Sequence, residues 1–229
     1  MSEQITGISS MATRQVLAEL VQDYERLTGQ PVVVRSVGGV DAARRVENGD
    51  RFDFVVLAAD VIDRLETAGH VVSGSRVDVA RSGVAIAVAA GAPRPDVGTE
   101  AALRETILAA RSIGYSTGPS GSHLSHLFER WGIAETIALR VVQAPPGVPV
   151  GALVARGEVE LGFQQLSELM HLPGIDVIGS LPTEVQIVTV FAAAICTASR
   201  QSDAAKAVLS FLASSEARFA KLRHGMEPA

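Results

Sequence analysis

The sequence predicts an α/β fold with largely parallel strands, and three observations carry that expectation. Short β-branched runs alternate with stretches of helical periodicity along most of the 229 residues. The order strand, small polar turn, helix recurs through both the first and the middle part of the chain. Phe52–Ala59 is a near-continuous apolar run, as befits a strand covered on both faces.

Taken in order, a strand over Gln4–Ile8 runs into Ser9-Ser10 and a helix to about Thr28. Val16, Leu17, Leu20, Val21, Tyr24 and Leu27 share one face of that helix, and Gly29 stops it. Pro31–Val37 is the next strand, followed by Gly38-Gly39, a helix over Asp41–Asn48, and Gly49. After the Phe52–Ala59 strand, Asp60 is placed to cap a helix that reaches Ala68 and closes at Gly69. Thr99 caps a helix through Ala110, and Ser112–Ser116 forms a strand. The Thr117–Ser122 turn opens a helix to Trp131 that Gly132 ends. Leu139–Ala144 is a strand, followed by the Pro145-Pro146-Gly147 turn and a helix ending at Gly157. Val159–Gln164 is a strand, with a short helix from Ser167.

Two long strand-like runs frame the middle part: Val79–Ala90, interrupted at Arg81-Ser82-Gly83, and Val185–Cys196. The tail from Ser202 to about Arg223 reads as one helix with Ala205, Val208, Leu209, Leu212 and Phe219 on its apolar side. A chain that leaves one domain, builds a second and returns accounts for this order. The expected domains are 1–81 plus 187–229 and an inserted 82–186, with a ligand cleft at their junction.

Composition excludes several classes. Hydrophobic residues at 47% supply a real core, so a disordered chain is excluded. Twenty basic against 25 acidic residues give a formal charge of −5, which opposes binding to nucleic acid. Cys196 is the single cysteine, so neither a disulfide framework nor a cysteine zinc cluster can form. No apolar stretch is long enough for a membrane span. Met1–Gln4 runs directly into Ile5–Ser10 with no basic leader or apolar segment. As it stands the sequence reads as cytoplasmic, and as periplasmic if a signal segment was removed. A monomer without metal or cofactor is expected.

The chemistry is expected at the strand ends. Ser9-Ser10 is either an ordinary helix cap or a pair of neutral donors beside free helix-start amides. In Thr117-Gly118-Pro119-Ser120-Gly121-Ser122-His123 the glycines let the backbone approach a ligand, and Ser120 and Ser122 can donate to an anion. The run lacks the Gly-Lys-Ser ending of a P-loop. Gly38-Gly39 is a third such turn. His123 and His126 lie three apart without a His-Glu-x-x-His pattern, so zinc is not expected.

Three segments together resemble a known family. Ile8-Ser9-Ser10-Met11, the run Phe52–Asp60 and the run Arg156–Phe163 occur in the order found in the molybdate-binding-protein-like branch of type II periplasmic solute-binding proteins. The resemblance implies the type II periplasmic-binding-protein fold, two α/β lobes joined by two crossover segments and closing like a hinge on an anion. It places Ser9, Ser10, Met11, Gly38, Gly39, Ala59, Arg81, Ser82, Ser120, Gly121, Ser122, His123, Gln164 and Gln165 at the ligand.

The sequence also departs from the molybdate binders. Gly38-Gly39 stands where they usually have a serine, Gln164-Gln165 where a tyrosine is common, and Arg81 where an uncharged residue is usual. A guanidinium pairs bidentately with a planar carboxylate, so Arg81 points to the organic-anion subgroup, which includes an aconitate isomerase on the same scaffold. Two function classes follow. One is a solute-binding protein for a small di- or tricarboxylate or an oxyanion, serving an ABC transporter if exported. The other is an isomerase shifting a proton along an unsaturated tricarboxylate, with His123 or a serine as the candidate proton-moving group.

Overall fold

The computed structural model describes residues 3–145 and 147–229; Met1, Ser2 and Pro146 of the expected turn lie outside the described residues. The chain packs as two compact units, one made of the chain up to Ser82 with Val190–Ala229, the other of Gly83–Thr189. The junctions fall after Ser82 and Thr189, within strands.

β1 (Ile5–Ser10) leads through a 3-10 turn at Met11–Thr13 into α1 (Arg14–Thr28). α1 buries Val16, Leu17, Leu20 and Tyr24 and ends on Gly29 at φ 71°, a left-handed conformation that costs glycine nothing. Leu27, expected on the packed face, lies in the last turn of α1 and is exposed. β2 (Val32–Val37), α2 (Gly39–Glu47), β3 (Phe54–Ala58) and α3 (Ala59–Thr67) follow. Asp60 lies inside α3, two residues past the N-cap Ala58, and pairs with Arg64 four residues on. β4 (Val77–Ala89) is continuous: Arg81-Ser82-Gly83 does not interrupt it, and it carries the chain into the second unit.

There the chain forms α4 (Glu100–Ala109), β5 (Ile113–Tyr115), α5 (Pro119–Arg130), α6 (Ala134–Ile137), β6 (Val141–Gln143), α7 (Val150–Ala155), β7 (Leu161–Gln165), α8 (Leu166–Leu169) and β8 (Ile175–Ser180). β9 (Val188–Ile195) returns to the first unit, which is completed by α9 (Ser202–Ala213), α10 (Arg218–Arg223) and β10 (Glu227–Pro228). The expected single tail helix is thus broken at Ser214, which is extended, and Phe219 is exposed.

In the first unit β1 pairs in parallel with both β2 and β3, and β3 pairs antiparallel with β9. Alternation divides the core between the two faces of the sheet. Phe54 and Val56 of β3 join Phe191 and Ala193 of β9 under α1 and α9, while Val55 and Leu57 join Ala192, Ala194 and Cys196 on the face of α2 and α3. In the second unit β4 is antiparallel to β7 and β8, and β5 is parallel to β7 and β6. Glycines bring α7 close to this sheet. A Cβ at Gly162 would stand 2.5 Å from Val154 of α7.

Candidate functional site

Parallel pairing has one consequence that fixes the chemistry. In the first unit the segments after β1, β2 and β3 all start at the same sheet edge, the carboxyl ends of the strands. In the second unit the same holds for α5, α7 and α8, which follow the mutually parallel β5, β6 and β7. Each unit therefore presents its own row of helix starts.

The N-cap residues of these starts do not cap them with their own side chains, though the Val150 amide of α7 is taken by Gln164 Oε1. The N-cap positions Ser10, Gly38 and Ala58 of the first unit, and Gly118, Pro149 and Gln165 of the second, make no side-chain capping bond. Thr99 of α4 shows the ordinary alternative, its Oγ1 accepting the Ala102 amide at 3.2 Å. First-turn N–H groups have no partner within their own helix, so an uncapped start keeps donors available.

In the first row, Ser9 is fully buried and already occupied. Its hydroxyl meets that of Ser36 at 2.8 Å and donates to the Ser10 carbonyl at 3.2 Å. These contacts link the ends of β1 and β2. Ser10 differs: its Oγ is buried with no hydrogen-bond partner, and a Cβ at Gly39 would stand 3.7 Å from its own. A buried hydroxyl without a partner is costly, which suits a group that meets a ligand. Met11 and Ala59, the first residues after β1 and β3, are partly buried, as is Gly38. Ser82 of β4 is 2% exposed and its Oγ also lacks a partner.

Arg81 is engaged elsewhere in the first unit. It is exposed, sits opposite Glu227 in the β4–β10 ladder, and donates from Nε and Nη2 to the Pro228 carbonyl at 3.2 and 3.0 Å. Its neighbours Ala80 and Ser82 are buried on the other side of the strand. The guanidinium fastens the C-terminal strand.

In the second row, Ser120 is buried in the first turn of α5, and Gly121 packs on the end of β5. The Gly121 and Ser122 amides both bond to the Gly118 carbonyl, at 3.0 and 3.2 Å. Ser122, His123 and His126 are exposed, whereas Leu124, Leu127 and Phe128 are buried, so both histidines lie on the solvent side of α5. Gln164 is 2% exposed and fully used: Oε1 accepts the Val150 amide at 2.8 Å and Nε2 donates to Glu168 at 2.6 Å. Gln165 Nε2 donates to Thr189 at 2.7 Å, leaving its buried Oε1 without a partner, like the Oγ of Ser167.

Sequence reasoning missed Ser36, Ser167 and Glu168. Glu168 was legible in principle, because it stands four residues beyond Gln164 across a strand-to-helix turn. Burial pushes its carboxyl up to about 7, against the Gln164 hydrogen bond, which favours the charged form. Among the described residues no three His, Cys, Asp or Glu side chains are grouped to hold a metal. No helix of these residues is long and apolar enough to cross a membrane.

The family model described as "Bacterial extracellular solute-binding protein" matches residues 5–227. The chain belongs to that family. Among sequence relatives of this solute-binding protein, an aconitate isomerase from a Pseudomonas species is 36% identical over 98% of this chain and 87% of its own length. Among solved structures, the periplasmic molybdate-binding protein of Azotobacter vinelandii superposes with TM-score 0.80 at 19% identity, over 97% of this chain and 98% of the other. PEB3 bound to L-phospholactate gives 0.77 at 13%, over 98% and 100%. The type II periplasmic-binding-protein fold expected from the three sequence segments is the fold of this solute-binding protein.

Proposed function

We propose that this solute-binding protein takes a small organic anion, a di- or tricarboxylate, on the uncapped helix starts of its strand-end rows. The supporting observation is the conjunction of uncapped helix starts with the buried, unpartnered hydroxyl of Ser10. Amide N–H groups and neutral hydroxyls stabilise an anion without a buried cation. An organic anion is favoured over molybdate by the relative named aconitate isomerase and by the absence of a second-row tyrosine. If exported, such a protein hands its ligand to an ABC transporter.

Thermal unfolding with citrate, aconitate, malonate, sulfate and molybdate tests the reading. A true ligand at 100-fold excess over Kd adds about 2.7 kcal/mol of stability. Stabilisation by carboxylates is expected; stabilisation by molybdate alone makes the ligand inorganic, and no shift with any anion ends the proposal.

A second reading rests on the same relative: an isomerase that shifts a proton along an unsaturated tricarboxylate. NMR of aconitate in deuterated water with the protein present tests it. The appearance of the other isomer supports turnover, and no isomerisation together with no deuterium incorporation leaves binding alone.

A further inference from the structure

The turn between β7 and α8 is unusually polar for a buried segment. Four of the residues Gln164-Gln165-Leu166-Ser167-Glu168 are polar; three of those are almost fully buried, and Glu168 is mostly so. Gln165 Oε1 and Ser167 Oγ have no partners. The orientation of Gln164 is determined: its Oε1 is committed to the Val150 amide, so its NH2 group must face Glu168. This holds one oxygen of the Glu168 carboxyl at 2.6 Å, while among the described residues the other oxygen accepts no hydrogen bond. The result is an oriented carboxyl at the sheet edge where α5, α7 and α8 begin, with one face uncommitted.

We propose that Glu168, rather than His123, is the proton-transferring residue of the isomerase reading. The inference rests on that reading and names the group it leaves open. The Glu168 carboxylate takes a proton from a methylene beside a substrate carboxylate, and the broken C–H pair becomes the new C=C bond. The electron pair of the old C=C bond then takes the proton back from Glu168 at the far allylic carbon. Nothing is oxidised or reduced, and the carboxylate is regenerated.

Such a group must be ionised to take the proton and acidic enough to return it, which favours a pKa near the working pH. The placement of Glu168 meets that need. α8 packs on β7 and β8. β7 carries no charged residue, and Asp176 of β8 is engaged by the Gly91 amide and by Arg94. With no cation alongside, burial dominates and raises the carboxyl. His123, by contrast, is exposed, and among the described residues no hydrogen bond orients it.

The test compares wild type, Glu168→Gln and Glu168→Asp with aconitate in deuterated water by NMR, and measures aconitate affinity by calorimetry. Glu168→Gln is expected to lose isomerisation by about 100-fold or more while affinity stays within about fivefold. Glu168→Asp, which retains the acid on a shorter arm, is expected to fall between them and covers the case in which the glutamine variant misfolds. Wild-type kcat/KM should rise with pH as the carboxyl ionises. A glutamine variant isomerising within about threefold of wild type overturns the assignment and leaves the isomerase reading intact. Wild type that forms no isomer and incorporates no deuterium, bound or not, removes the isomerase reading and this inference with it.

Discussion

The first turn of α5 is seated on the end of β5, so closely that a Cβ added to Gly121 would stand 1.8 Å from the Ser116 carbonyl oxygen. Backbone is on both sides of that contact, so no side-chain movement relieves it. Gly121 is therefore required by packing, whatever its part in binding. Gly121→Ala is expected to cost about 3 kcal/mol of stability. Urea unfolding measures it, and a loss below about 0.5 kcal/mol would show that the helix start can move freely.

Ser9 and Ser10 are adjacent hydroxyls with opposite commitments, and alanine substitutions should separate them. Ser9→Ala breaks the contact with Ser36 and is expected to lower stability by about 1 kcal/mol. Ser10→Ala removes an unpartnered buried oxygen, so stability should stay level or rise while anion affinity falls by about 1 kcal/mol. Denaturant unfolding combined with calorimetry distinguishes the two patterns. Equal affinity losses would return Ser9 to the ligand.

Arg81→Ala tests how far the Pro228 contact occupies this residue. With the guanidinium engaged by the Pro228 carbonyl, carboxylate affinity is expected to change by less than about twofold. The observable change should be faster amide hydrogen exchange around Glu227, as the C-terminal strand loosens. A large affinity loss with unaltered exchange would restore Arg81 as a ligand group.

Glu168 makes stability depend on pH. Its carboxyl is raised in the folded protein from an ordinary 4.5 to about 7, so the native state holds this proton more tightly than the unfolded chain. The contribution is full below pH 4.5 and is lost as pH rises through 7, amounting to about 3 kcal/mol. Glu168→Gln should flatten this part of the profile. Urea unfolding from pH 4.5 to 8 on both proteins reads the difference, and parallel curves would place the group in ordinary solvent.

Much of the fold was legible because it depends on local signals. Gly29, Gly49, Gly69 and Gly132 end helices in left-handed conformations where the sequence expects them, and the apolar run at Phe52–Ala59 is a strand buried on both faces. β8 escaped notice because its residues are only partly buried and lie between Pro173-Gly174 and Pro182. The continuity of β4 was hidden by Arg81-Ser82-Gly83, a turn-like triplet that sheet pairing holds extended. For the site, the strand ends and their small residues could be read directly. Commitments made across long separations could not: Arg81 meets Pro228, 147 residues away, and Ser9 meets Ser36, 27 away. Glu168 was overlooked because its importance comes from burial, which the polar residues around it conceal.

The lone thiol, Cys196, is sealed in the core between β9 and the α2–α3 face, and burial raises it to about 12. Its thiolate is the reactive form, so maleimides and disulfide reagents will pass it by in the native protein. Any cysteine introduced on the surface will therefore be the one that couples. Dyes or spin labels can be attached at chosen sites without first removing a native residue.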